Sequence, residues 1–250
     1  MIKATGAAGA AILPIVQTRG DAEAQGADRV SAPNAAASAD AHAAATLPQA
    51  TYMFFNSEEA AFIEAAVARL IPKDDTWDGA LEAGVPNYID KQLAGAWGAG
   101  ERLYRSGPWH PGTPGQGYQL PFVPSELFRT ALTAINKALS QSPFAKMSTE
   151  EQDKYLTSLE QGGSDLGGVP SDVFFTQLWE STLEGYFSDP VYGGNRNMVS
   201  WRMIGFPGAY ASYYDLVDQH GIKIDRAPMS LAENVAGHVH VDPAIPARSP

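Results

Sequence analysis

The run Asn56-Ser57-Glu58-Glu59-Ala60-Ala61-Phe62-Ile63-Glu64-Ala65-Ala66-Val67-Ala68-Arg69-Leu70-Ile71-Pro72 decides what kind of fold this chain adopts. Asn56 can cap a helix while Glu59, three residues on, returns the bond, a capping box with Asn in place of Ser or Thr. Phe62, Ile63, Ala66, Val67 and Leu70 then recur at helical spacing, which predicts an amphipathic helix. It should stop near Ile71, because Pro72 disfavours helical geometry in its predecessor.

The same logic repeats downstream. Residues 74–80 form a turn, and a second helix follows over about 85–97 with Val85, Tyr88, Ile89 and Leu93 inward. Ser125 opens a third, about 126–140, that gathers Leu127, Phe128, Ala131, Leu132, Ile135 and Leu139 on one face. Ser148 caps a fourth, with Glu151 three residues later. It carries Tyr155, Leu156 and Leu159 and ends at Gly162-Gly163. A fifth, about 171–187, holds Val173, Phe174, Phe175, Leu178, Trp179, Leu183, Tyr186 and Phe187. The stretch near 209–219 suits a short final helix, and Val239–Val241 is the best strand candidate. The fold class expected is mainly α, a single irregular helical domain with long Gly/Pro-rich loops.

Every Trp, Tyr and Phe lies between Tyr52 and Tyr214, whereas the first 50 residues hold 18 Ala and no aromatic. Aromatics carry the large buried areas of a core. The expected organisation is therefore an Ala-rich arm over 1–50, a helical domain over 51–225 and a C-terminal arm over 226–250, with both arms extended and poorly structured.

Composition excludes several functions. A net charge of −11 argues against nucleic-acid binding, which needs a basic face. With no cysteine among 250 residues, disulfides, thiolate nucleophiles and a c-type haem carried by this chain are ruled out. No apolar stretch approaches the roughly 20 residues that span a bilayer. The start, Ile2-Lys3-Ala4-Thr5-Gly6-Ala7-Ala8-Gly9-Ala10, looks like the tail of a twin-arginine export signal without its arginine pair. It points to export, and Ala22-Glu23-Ala24 would suit a cleavage site.

Candidate chemistry is thin. Glu180 and Glu184 share a helical face, but with no His in that helix a solvated or salt-bridged face is the better reading. His238, His240 and Asp242 alternate like ligands, yet they lie in the aromatic-poor tail, where little would hold a site rigid. His110, beside Trp109 in the Gly/Pro-rich segment 98–124, is the imidazole best placed to meet a ligand or partner, although loop packing is its ordinary role. No G-x-G-x-x-G, G-x-x-x-x-G-K-[ST], G-x-S-x-G, H-E-x-x-H or C-x-x-C-H occurs. No catalytic, cofactor-binding or metal-ligating residue is therefore assigned in this chain.

The most distinctive run is 185–208. Asp189-Pro190 ends the fifth helix, Gly193-Gly194 permits positive φ, and Asn195-Arg196 offers a fork of donors. Trp201, Ile204, Phe206 and Pro207 are apolar in what reads as a non-helical context. Trp, Tyr and Arg are the types that carry interface energy. The partner surface expected is thus Tyr192, Asn195, Arg196, Trp201 and Phe206, with Trp109 and His110; the alternative for Trp201 is a place in the core.

Three motifs together resemble the small subunit (subunit 3, or gamma chain) of gluconate 2-dehydrogenase and related membrane-bound flavin dehydrogenases. They are Leu70-Ile71-Pro72-Lys73-Asp74-Asp75; Gly79-Ala80-Leu81-Glu82-Ala83-Gly84-Val85-Pro86-Asn87-Tyr88-Ile89-Asp90; and the stretch from Phe175 through Glu184-Gly185-Tyr186-Phe187-Ser188-Asp189-Pro190, Tyr192-Gly193-Gly194-Asn195 and Trp201 to Ile204-Gly205-Phe206-Pro207-Gly208. The resemblance covers about 55–215. It implies a non-catalytic partner in a heterotrimer. The large subunit, of the glucose–methanol–choline type, would hold FAD and oxidise a sugar acid or polyol such as gluconate. A multihaem cytochrome c subunit would hold haem c and pass electrons on. The small subunit would stabilise and co-export the flavoprotein, giving a periplasmic complex associated with the inner membrane. The competing expectation is a free-standing periplasmic enzyme or binding protein that uses the His110/Trp109 loop.

Overall fold

The computed structural model describes residues 51–110, 112–117, 119–209, 218–221 and 227–231, all within the unit formed by residues 47–250. Among them are six α-helices and no strand beyond two isolated bridges. The helices are α1 (Ser57–Leu70), α2 (Val85–Ala94), α3 (Pro124–Ala138), α4 (Thr149–Glu160), α5 (Ser171–Phe187) and α6 (Val199–Ile204). The mainly α expectation holds.

Helix starts follow local chemistry. The Asn56 side chain accepts from Glu58 N and Glu59 N at 3.0 Å each, and Glu59 accepts from Asn56 N at 3.0 Å. Ser148 and Glu151 make the same reciprocal pair at α4. The N-cap of α3 is Val123, two residues before the expected Ser125: Pro124 occupies the first turn, where its fixed φ suits the helix, and Glu126 accepts from Val123 N at 3.1 Å. α2 stops at Ala94, short of the expected 97. Gly98 then crosses so close that an added Cβ would lie 1.9 Å from the Leu93 carbonyl oxygen, so the chain must leave the helix there. The described residues of 95–123 contain one 3₁₀ turn, Pro114–Gln116, and are otherwise without regular helix or strand, as the Gly/Pro content predicts.

α5 is the central element, packing on α1, α2, α3, α4 and α6. Phe174 meets Phe128 edge-on at 5.5 Å and Phe62 at 6.3 Å, and Phe62 in turn meets Phe144 at 4.7 Å. Phe62, Phe128 and Phe174 are each fully buried, a burial that stabilises by roughly 2 kcal/mol or more per ring. The small residues Ser181, Thr182 and Gly185 are also buried, which lets neighbouring backbone approach the second half of the helix.

Polar groups close the core at its N-terminal edge. Asp90, 1% exposed, accepts from the backbone N–H groups of Met53, Phe54 and Phe55 at 2.7, 2.8 and 2.9 Å. Arg129 pairs with the buried Glu59, donates to the Phe54 carbonyl at 2.6 Å and stacks 4.0 Å over the Phe54 ring. Segment 53–55 is thus pinned by charge as well as by aromatic burial.

One expectation is corrected here. Residues 199–204 form the short helix α6, not an irregular loop, after a left-handed entry at Asn195, Asn197 and Met198 (φ 44°, 57° and 54°). Three such residues in four hide the helix start from a periodicity argument. At the C-terminal side, Met229 N donates to Pro207 O and Ala209 N to Met229 O at 3.2 and 2.8 Å, tying part of the expected arm to the body. Most of the late helix expected near 209–219 (residues 210–217), the strand at Val239–Val241, the His238/His240/Asp242 cluster and the leader over 1–50 lie outside the described residues.

Candidate functional site

The three motifs, distant in sequence, converge on the C-terminal end of α5. Gly79 lies against the first motif: an added Cβ would sit 2.5 Å from Lys73 N and 2.6 Å from Ile71 O, while Ala80 N donates to Ile71 O at 2.9 Å. The Tyr186 hydroxyl donates to the Asp78 carbonyl at 2.8 Å, joining α5 to the same turn. The loop after α5 then docks on the second motif. Arg196 N donates to Ala83 O at 2.9 Å, Asn87 donates to the Gly193 carbonyl at 3.2 Å, and the Arg196 side chain lies against Gly84.

Two glycines permit that approach. A Cβ on Gly194 would lie 2.1 Å from the Gly185 carbonyl, and one on Gly185 would lie 2.8 Å from the Tyr88 ring. Gly193 adopts φ 100°, which only glycine takes at no cost. Asp189, 8% exposed, accepts from Val191 N at 3.0 Å, from the Ser230 hydroxyl at 2.6 Å and from Leu231 N at 2.8 Å. One carboxylate therefore caps the Pro190–Tyr192 turn and ties down residues 230–231.

The predicted partner residues divide. Tyr192 and Phe206 are exposed, as expected of contacts, and Arg196 is half-buried. Asn195 and Trp201 are corrected as surface contacts, because both side chains lie inside the chain. Asn195, with no exposure, donates to Ser188 O at 2.9 Å and accepts from Ser200 N and the Ser200 hydroxyl at 3.0 and 2.9 Å. The Trp201 indole donates to Phe187 O at 2.9 Å and meets the Phe206 ring edge-on at 5.0 Å. Trp109 is half-buried and His110 exposed in the 95–123 segment; neither belongs to the motif cluster.

Sequence reasoning missed part of this surface. With Trp201 turned inward, Met203 and Ile204 of α6 face solvent, joined by Phe187, Phe206 and Leu231. The signal available was the helical spacing within 199–204, which separates Trp201 from Met203.

The acidic pair on α5 is held by neutral groups. Glu180 accepts from Gln177 at 3.0 Å, and Glu184 accepts from the Tyr88 hydroxyl at 3.3 Å. Burial and then the Glu180 charge push the Glu184 carboxyl up, while the Tyr88 bond pulls it back. Burial, reinforced by Glu184, pushes the Tyr88 phenol up to about 12. Among the described residues no group of three His, Asp or Glu could hold a metal ion, and no helix is long and apolar enough to cross a membrane.

Fold and site together define a helical protein whose most elaborate feature is a buried polar loop assembly topped by exposed apolar side chains. The family model for gluconate 2-dehydrogenase subunit 3 matches residues 57–208, from the first residue of α1 to the last residue of the third motif, and the chain belongs to that family. No curated protein and no solved structure matches it.

Proposed function

We propose that this chain is the non-catalytic small subunit of a gluconate 2-dehydrogenase-like complex. It binds, stabilises and accompanies through export an FAD-dependent large subunit of the glucose–methanol–choline type that oxidises a sugar acid or polyol. Electrons pass to a multihaem cytochrome c subunit at the periplasmic face of the inner membrane. The observation that carries this reading is the family match over 57–208, whose three motifs build one loop assembly at the end of α5. The cofactors belong to the partners: this sequence has neither a dinucleotide fingerprint nor a cysteine for haem attachment.

The test is deletion of this chain in its native host, followed by fractionation. The flavoprotein should disappear from the periplasm and the membrane-bound dehydrogenase activity should fall with it. A flavoprotein that reaches the periplasm fully active without this chain would overturn the proposal.

A further inference from the structure

Residues 52–56 lie on the helical body without sharing its backbone bonding. Among the described residues, no backbone-to-backbone hydrogen bond holds Tyr52, Met53, Phe54 or Phe55, and Asn56 joins the ladder of α1 only through its carbonyl, which accepts from Ala60 N at 2.9 Å. Side chains hold the segment instead. Two buried carboxylates take four successive amides: Asp90 those of Met53, Phe54 and Phe55, and Glu59 that of Asn56. Arg129 takes the Phe54 carbonyl, and the Tyr52 hydroxyl donates to Glu64 at 2.6 Å.

These anchors stand on three helices. Glu59 and Glu64 belong to α1, Asp90 to α2 and Arg129 to α3, and the contacts of Asp90 and Arg129 with Phe54 close over 36 and 75 residues. They come together only when α1, α2 and α3 are packed, so nothing local to the segment fixes it. The backbone bonds of those helices, by contrast, need nothing from residues 52–55. The apolar hold is also limited: Phe55 is sunk in the core, Tyr52 and Phe54 are half-buried, and Met53 is 74% exposed. Few buried apolar contacts and bonding through side chains alone mark a unit that opens before the rest of a fold.

We infer that residues 52–56 form a strap latched by Asp90, which fixes the chain just ahead of α1 to the body only while α1, α2 and α3 are assembled, and which opens without unfolding the helices. Opening gives the Asp90 and Glu59 carboxylates to water and exposes Phe54 and Phe55. It also moves the first anchored of the described residues from Tyr52 to the start of α1. Anchorage of this segment is thereby a readout of the folded state, since an unassembled body presents neither the carboxylate nor the guanidinium that hold it.

Native-state hydrogen exchange of the full chain, read residue by residue with and without low denaturant, tests this. In the wild type the amides of 53–56 should exchange through an opening that denaturant scarcely accelerates, because it exposes little surface. Those of Phe174 and Leu178, fully buried in α5, should exchange only by the denaturant-sensitive unfolding of the whole body. Asp90→Asn keeps the shape of the side chain but turns an NH2 group toward at least one of the three amides. It should raise exchange at 53–55 at least about tenfold, with Phe174 and Leu178 still protected and the helical circular dichroism unchanged. Amides of 53–56 that open only together with Phe174 and Leu178 overturn the inference, as do wild-type rates at 53–55 in Asp90→Asn. If Asp90→Asn yields no folded chain, the wild-type profile decides alone. Neither measurement involves a partner subunit, so neither outcome bears on the small-subunit reading.

Discussion

Trp201 shows how one side chain divides a loop into inside and outside. Its indole is 6% exposed, donates to Phe187 O at 2.9 Å and supports the Phe206 ring. Trp201→Ala should therefore unfold the isolated chain more easily, by roughly 3–5 kcal/mol, since it removes a buried aromatic and leaves a cavity. Thermal or denaturant unfolding of the purified variant checks this, and an unchanged midpoint would return Trp201 to the surface. From sequence, Trp201 and Asn195 were indistinguishable from contact residues. Aromatic rings and side-chain amides serve an interface and a self-bonded loop equally well, and only three-dimensional placement separates the two uses. Asp90 was invisible for a related reason. Its role depends on three amides some 35 residues upstream, and helical periodicity records only the apolar face of α2.

At the scale of elements, the five longer helices were legible from their apolar stripes, and two of them also from a local start signal. Asn56 with Glu59 and Ser148 with Glu151 placed α1 and α4 to within a residue. α6 escaped because its entry runs through left-handed residues, and its first-turn amide at Ser200 is capped by Asn195, four residues before the helix, rather than by the N-cap residue Met198. The Gly/Pro-rich segment 98–124 reads as a loop from sequence, but nothing in its Gly and Pro content says that Tyr104 stands 81% exposed. α1 and α4 are also joined by a forked pair: Arg69 Nε and Nη2 each donate to an Asp153 carboxylate oxygen at 2.8 Å. Those bonds hold the Asp153 carboxyl below its ordinary 3.8. The sign follows: the pair's contribution is complete above that ordinary value and is lost as pH falls through the lower folded one. Both groups are partly exposed, so the contribution should be modest, on the order of 0.5 kcal/mol. Asp153→Asn should accordingly lower stability slightly at neutral pH and converge with wild type only well below pH 3.8, as measured by denaturant midpoints from neutral to acid pH. A constant gap at all pH values would show that the pair is not ionic in origin.

For the molecule as a whole, three motifs that look unrelated in sequence turn out to be one assembly. Gly79, Gly185 and Gly194 remove side chains where backbones or a ring must meet, Gly84 makes room for the Arg196 side chain, and Asp189 and Asn195 satisfy the polar groups this closeness buries. Ile204, Phe206 and Leu231 stand exposed around this internally bonded loop. The family assignment supports the central proposal, that this chain works bound to a flavin dehydrogenase. The most direct measurement is affinity purification of the tagged chain from cells expressing its neighbouring subunits, followed by a visible absorbance spectrum and light scattering of the eluted peak. The account predicts one stable complex containing a flavoprotein, with flavin absorbance that vanishes when the chain is purified alone. A chain that elutes by itself while the flavoprotein stays soluble, active and unbound would contradict it.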